Sequence, residues 1–228
     1  MLKQLKRDAM LMAVAVSPFL IGAAFRFGIP LAERLLTSYF RETAILSPYY
    51  GLFDLFLIII TPSMLCFAVA MVMLEERDDH IAAYLAVTPL GKAGYMFSRL
   101  GLTCLISYIV SIIVAMLFSL SPIGVALSAG IALAGAIHGA VMALLIIAFS
   151  SNKVEGMAVG KLAGLLSLGA LAPYFITGKA QYMLSFLPSF WMAKSMQSGS
   201  YPALAASILL ALLWVALQSA IKNARIRL

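Results

Sequence analysis

Leu52–Leu74 reads LFDLFLIIITPSMLCFAVAMVML and runs straight into Glu75-Glu76-Arg77-Asp78-Asp79-His80. The run holds one charged residue, Asp54, and does not alternate apolar with polar positions, so it is no half-buried strand. At ~1.5 Å rise per residue it is long enough to cross a ~30 Å hydrocarbon layer, for which about 20 residues suffice. In that layer the backbone finds partners only within a helix or a closed barrel, and a barrel strand would alternate. The stretch therefore predicts a transmembrane helix with a charged end.

Five more runs share this character: Ala9 to Phe27, Tyr95 to Leu120, Ile123 to Ser150, Met157 to Thr177 and Tyr201 to Ile221. The chain's 228 residues are 63% hydrophobic and 11% charged, more apolar surface than one soluble core of that size hides. The fold class is all-α integral membrane protein, a single transmembrane domain over residues 1–228 with six spans near 9–27, 52–74, 95–120, 123–150, 157–177 and 201–221. A basic start, Met1 to Arg7, also suits a signal peptide. The apolar run that follows reaches Phe27, longer than a signal's 7 to 15 residues, and so reads as a retained first helix.

The net charge of +7 comes from basic residues lying between apolar runs, which is a topology signal and no nucleic-acid footprint. With the N-terminus inside, eleven Lys and Arg fall on the inner side (Lys3, Lys6, Arg7, Arg77, Lys92, Arg99, Lys153, Lys161, Lys222, Arg225, Arg227). Five fall outside (Arg26, Arg34, Arg41, Lys179, Lys194). The excess predicts both termini in the cytoplasm of a cell-membrane protein. A charge at mid-bilayer costs on the order of 3 kcal/mol, which places Arg26, Asp54, Arg99 and Lys161 near helix ends. Pro18, Pro62 and Pro173 interrupt apolar runs, where each removes a donor and kinks the helix.

Two outer segments are too long for simple turns, Gly28 to Gly51 and Gly178 to Ser200. In the first, Leu31, Leu35, Leu36, Tyr39 and Phe40 recur at helical spacing against Glu33, Arg34, Ser38, Arg41 and Glu42, as in a helix lying on a membrane surface. In the second, Tyr182, Phe186, Phe190 and Trp191 surround Pro188, fitting the headgroup boundary or a short re-entrant helical pair. Gly156, Gly160 and Gly164, and again Gly135 and Gly139, make GxxxG steps that let helices approach closely, within the chain or toward a second copy.

Nucleotide chemistry has no motif here: Gly91-Lys92, Gly160-Lys161 and Gly178-Lys179 lack the upstream Gly and the following Ser or Thr of a phosphate loop. His80 and His138 lie in different segments without HExxH spacing, Cys66 and Cys104 sit inside apolar runs, and no metal site is expected. His138 reads either as a neutral imidazole between close helices or as a proton relay, for which it has no acidic partner in sequence. Asp54 has no second intramembrane carboxylate to work with. The segment after Leu74 is the densest polar feature. There Ile81, Tyr84, Leu85 and Thr88 form one face of a short helix, Asp78 or Asp79 can cap its start, and Pro89 ends it. It reads either as a solvated charge cluster or as a docking element.

Glu76-Arg77-Asp78-Asp79, then Leu85, then Val87-Thr88-Pro89-Leu90, then Tyr95 and Arg99 resembles the permease subunits of type-two ATP-binding-cassette exporters, especially the fluoroquinolone and drug exporters. The resemblance covers the chain weakly and about 25 residues well, and departs from it at His80-Ile81, where many relatives carry Gly-Thr. It implies that residues 75–90 form a cytoplasmic coupling helix between the second and third spans. Glu75, Glu76, Arg77, Asp78, Asp79, His80, Ile81, Tyr84, Leu85, Thr88, Pro89 and Leu90 would seat in a separate ATPase subunit. It further implies pairing with a second permease copy or a related permease, no cofactor in this chain, ATP and Mg in the partner ATPase, and export of a small amphipathic substrate. Met64, Phe67, Tyr174 and Phe175 are candidates for the substrate path. The rival readings are a membrane-embedded lipid-modifying enzyme, which would turn over alone, and an ion-gradient-driven carrier or a non-transporting scaffold.

Overall fold

The decisive stretch forms α3, Tyr50–Asp78, a helix of 29 residues. Around it, the computed structural model of the chain describes residues 9–79 and 91–226, and every regular element among them is helical. Before it, α1 (Ala9–Ala23) passes through a π turn at Ala24–Gly28 into α2 (Ile29–Phe40). After it come α4 (Gly91–Met96), a π turn at Phe97–Gly101, α5 (Leu102–Phe118) and α6 (Val125–Phe149). The chain then makes α7 (Lys153–Gly164), a 3₁₀ stretch at Leu165–Leu171, and α8 (Ala172–Phe175). A second 3₁₀ stretch, Gly178–Leu184, leads to α9 (Pro188–Ser198) and α10 (Tyr201–Ile226).

Five helical stretches among the described residues are long and apolar enough to cross a membrane: Ser47–Asp78, Gly94–Phe118, Val125–Phe149, Lys153–Phe175 and Tyr201–Ser219. The protein is thus a multi-pass, all-helical membrane protein. The first apolar run is helical from Ala9 and does not stop at Phe27, because the π turn carries the helix on into α2. The second run extends past Leu74, so Glu75 to Asp78 are the last turn of α3 and not a segment following it.

Helices α3 and α6 form the centre, packed along most of their length, and α5, α7, α9 and α10 surround them. Small residues set this arrangement. A Cβ on Gly135 would stand 3.3 Å from the Ile58 carbonyl oxygen, and one on Gly139 only 2.9 Å from that of Pro62, so backbone meets backbone at this crossing. Leu55, Ile58, Ile59, Ile131 and Ala132 fill one core cluster, and Cys66, Ala70, Met71, Ala143 and Ile146 the other.

Proline leaves a carbonyl without its usual donor four residues earlier, and the structure shows what replaces it. Opposite Pro62 the free carbonyl is Ile58, and the buried Ser111 hydroxyl of α5 donates to it at 3.3 Å. Opposite Pro18 it is Val14, which accepts from Ser17 at 2.8 Å. The fifth apolar run is no uniform helix. It tightens to 3₁₀ geometry where the Ser189 hydroxyl donates to the Leu166 carbonyl at 2.6 Å, taking an acceptor from the regular ladder.

The two long segments 28–51 and 178–200 differ. Helix α2 leaves Leu31, Leu35, Tyr39 and Phe40 exposed while Glu33 turns inward, the amphipathic pattern expected of a surface helix. The segment around Pro188 instead packs into the bundle: Phe190, Met192 and Ala193 of α9 are fully buried, mainly against α10, α6 and the first 3₁₀ stretch. A left-handed Gly199 (φ 66°) turns the chain directly from α9 into α10.

Candidate functional site

Four acids crowd the C-terminal turn of α3 and its cap, Glu75, Glu76, Asp78 and Asp79, against one base, Arg77. Carboxylates at that end oppose the helix dipole, a cost of about 0.3–1 kcal/mol each unless something offsets it. Partners from two other elements do so. Glu76 accepts a hydrogen bond from the Tyr95 hydroxyl at 2.6 Å on one oxygen and is ion-paired with Arg99 on the other. Tyr95 and Arg99 stand four residues apart at the entry to α5, the second of them inside the π turn.

On the other flank, Glu75 pairs with the Lys153 ammonium at 2.8 Å, and the Lys153 backbone N–H donates to Asp78 at 3.2 Å. Arg77 donates to the Ser150 carbonyl, the last residue before the α6–α7 turn. That turn is itself fixed by capping: Asn152 accepts from the Glu155 N–H at 2.9 Å, and Glu155 reaches back to the Ser151 N–H at 2.6 Å. The end of α3 is therefore a joint gripping the entry to α5 on one side and the link between α6 and α7 on the other. Asp79 alone of the four acids is exposed with no side-chain contact among the described residues. His80, Ile81, Tyr84, Leu85, Thr88, Pro89 and Leu90 lie outside the described residues.

The opposite end is held by neutral donors around buried acids. Asp54, 2% exposed, accepts the N–H groups of Leu120 and Ser121 at 2.7 and 2.8 Å together with the Ser121 hydroxyl, closing the α5–α6 turn. Glu33 accepts from the Ile45, Leu46 and Ser47 N–H groups at 3.0, 2.6 and 3.4 Å and from the Ser47 hydroxyl at 2.7 Å. Burial alone would raise its pKa, but these donors outweigh it and hold the carboxyl below its ordinary value. Arg26 donates to the Ser119 carbonyl at 2.6 Å, at the C-terminal end of α5 where a cation suits the dipole. Above Asp54 lies an open cleft of about 370 Å³ bordered by Gly51, Pro122, Leu127, Tyr174, Met196 and Gln197.

The acids of the two clusters are thus committed to fixing the turns and helix ends of an apolar bundle. A family model for "Fluoroquinolones export permease protein Rv2686c-like" matches residues 1–221. The chain belongs to the Rv2686c-like export permease family. Within that family it is similar to the Fluoroquinolones export permease proteins Rv2686c and MT2760 of two Mycobacterium tuberculosis strains, each 26% identical over 193 residues, 83% of this chain and 75% of the relative. No solved structure matches the chain. Membership makes this permease a transport protein of the membrane and supports drug export.

The four substrate-path candidates do not share one cavity. Met64 is half-buried and accepts from Ser17 of α1, and Phe67 packs over Gly160 of α7. Tyr174 borders the cleft, while Phe175 is exposed and stacks on Tyr49 with ring centroids 5.2 Å apart. Among the glycines, a Cβ on Gly156 or Gly160 would strike Leu74 or Phe67, whereas one on Gly164 meets nothing within 4 Å. His138 is fully buried; its Nε2 lies 3.3 Å from the Ser167 hydroxyl and its Nδ1 has no partner. Sequence reasoning missed Lys153, Ser150 and Ser121 as partners of the charged ends, since nothing in the spacing links them to α3.

Proposed function

We propose that this permease is the membrane half of an ATP-binding-cassette exporter that expels an amphipathic compound using ATP hydrolysed, with Mg, by separate ATPase subunits. Family membership across residues 1–221 carries the reading. The relatives' printed names specify fluoroquinolones, planar molecules with an apolar ring system and charged edges, and we extend that substrate class to this chain. In this reading the chain crosses the cell membrane six times, with the run from Ala9 as the first span and both termini in the cytoplasm. Eleven basic residues against five support that orientation.

Asp54 and Glu76 are about 33 Å apart along α3 at ~1.5 Å per residue, close to the ~30 Å hydrocarbon thickness, so each charged cluster falls at one membrane face. Residues 80–90, leaving the Glu76 face, are the coupling element seated in the ATPase. Two permeases, identical or related, line the route between them, and Gly164 with its open surroundings is available for that contact. The cleft beside Tyr174 then opens at the outer face.

The test is ATP-dependent accumulation of a fluorescent fluoroquinolone in everted membrane vesicles that contain the permease and its co-purifying ATPase. Accumulation that requires both chains, ATP and Mg supports the reading. Uptake that follows a proton gradient without ATP would establish a carrier instead, and lipid turnover by the isolated chain an enzyme.

A further inference from the structure

We infer that Glu76 is a positioning residue that transmits the coupling step, and that it is not a contact with the ATPase. The inference rests on the reading proposed above. Both its carboxylate oxygens are engaged inside the chain, by the Tyr95 hydroxyl and the Arg99 guanidinium, and its side chain is only 13% exposed. A carboxylate so occupied offers a docking partner no free oxygen unless Tyr95 or Arg99 is first displaced.

What Glu76 does hold is the root of the 80–90 segment. Helix α3 ends at Asp78 before that segment and α4 begins at Gly91 after it, and the Glu76–Tyr95–Arg99 contact ties those two roots together. Displacement of the segment between them therefore reaches α3 and α5 as one unit. Because Glu75, Arg77 and Asp78 tie the same turn to Ser150 and Lys153, it reaches α6 and α7 as well.

Three observations agree. The acids stand at the end of α3 where its dipole disfavours them, so helix stability does not account for their presence. Arg99 sits within a π turn, a local widening of the helix common at functional positions. Of the acids, Asp79 alone is exposed and uncommitted among the described residues, which leaves docking to Asp79 and the residues beyond it.

The experiment uses the complete exporter in proteoliposomes and reads two quantities, co-purification of the ATPase subunit and fluoroquinolone moved per ATP hydrolysed. For Glu76→Gln we expect co-purification unchanged and drug moved per ATP lowered about tenfold, within the usual span of coupling between sites. Exchange of the pair, Glu76→Arg with Arg99→Glu, should restore most of the ratio. Tyr95→Phe, which removes one hydroxyl and leaves the fold least disturbed, should lower the ratio about threefold. For Asp79→Arg we expect loss of co-purification.

Loss of the ATPase from Glu76→Gln would make Glu76 a docking contact and overturn the inference. So would an undiminished ratio in Glu76→Gln and Tyr95→Phe while the unaltered chain binds its ATPase. If the unaltered chain binds no ATPase, the exporter reading itself fails and the positioning role with it.

Discussion

Replacing Gly139 by Ala puts a methyl group where the chain has least room for one. The added Cβ would stand 2.9 and 3.0 Å from the carbonyl oxygen and carbon of Pro62 and 3.1 Å from the Cys66 sulfur. Two of these are backbone atoms of α3, so no rotamer change relieves the clash, and α3 and α6 must separate by about half an ångström to restore van der Waals distance. A gap of that size forfeits a quarter or more of each dispersion contact along the crossing, and overpacking of this kind costs about 1–3 kcal/mol. Against it stands the helix propensity of Ala over Gly, about 1 kcal/mol. The net expectation is destabilisation by up to about 2 kcal/mol, or an apparent melting temperature lower by up to about 8 °C for a chain of this length. Gly164→Ala is the matched control: same chemistry, also helical, but with nothing within 4 Å, so only the propensity gain remains. Thermal unfolding of the detergent-solubilised variants, followed by size exclusion, should rank Gly164→Ala at or above the unaltered protein and Gly139→Ala well below it. If the two variants melt together, the close α3–α6 approach does not exist as described.

Ser111→Ala should cost about 1 kcal/mol by orphaning the Ile58 carbonyl, and adding Pro62→Ala should recover much of the loss because the introduced alanine supplies its own N–H to that carbonyl; paired melting curves check both. Asp54→Asn keeps the shape but turns an amide NH₂ toward one of the Leu120 and Ser121 N–H groups while its oxygen still accepts from the other, so stability should fall by about 2–3 kcal/mol, read from the same assay. Glu33, whose carboxyl is held below the ordinary value of 4.5, ties down residues 45–47 fully above that pH and releases them as pH falls below it. Amide-exchange protection at Ile45, Leu46 and Ser47, corrected for intrinsic rates, should therefore decline below about pH 4.5 in the unaltered chain and be absent at every pH in Glu33→Ala.

The apolar runs were legible because the bilayer imposes length and composition on any segment that crosses it, whatever the rest of the chain does. Leu52–Leu74 needed no tertiary information to be read as a helix. Its true end did: the acids after Leu74 are poor company for a helix C-terminus, and only Arg99, Lys153 and the Lys153 N–H make the extra turn to Asp78 tolerable. Gly139 announced a close approach in its GxxxG step, yet which backbone it meets was not in the pattern. The 3₁₀ stretch at Leu165–Leu171 was illegible for a similar reason, since the hydroxyl bonded to its Leu166 carbonyl comes from Ser189 on another element. Likewise the aromatics around Pro188 suited the headgroup boundary or a re-entrant helical pair, and the pattern did not show that they divide, Phe190 buried against α10 and α6 while Tyr182 and Phe186 stay exposed. Of the candidate site, the residue types were readable and the pairing was not, because partners nineteen or more positions away carry no periodic signal.

The two ends of α3 are built from different chemistry, and that difference assigns them different mechanical parts. At the Asp54 end every acceptor is satisfied by a short turn's own N–H and hydroxyl groups, inside a site 2% exposed, so opening it leaves a buried carboxylate unpaired. At the Glu76 end the contacts join long side chains with exposures of 13 to 52%, where water can replace either partner at small cost. Between the ends, α3 meets α6 backbone to backbone at Gly135 and Gly139, where no flexible side chain separates the two main chains. In the exporter proposed above, a push on the Glu76 end is carried the length of the pair and, through the contacts that tie that end to α5, α6 and α7, into those helices as well. Under that proposal, stiffness in the apolar middle is what a lever driven from the Glu76 end requires, and a soft middle would dissipate the stroke before it reached the cleft.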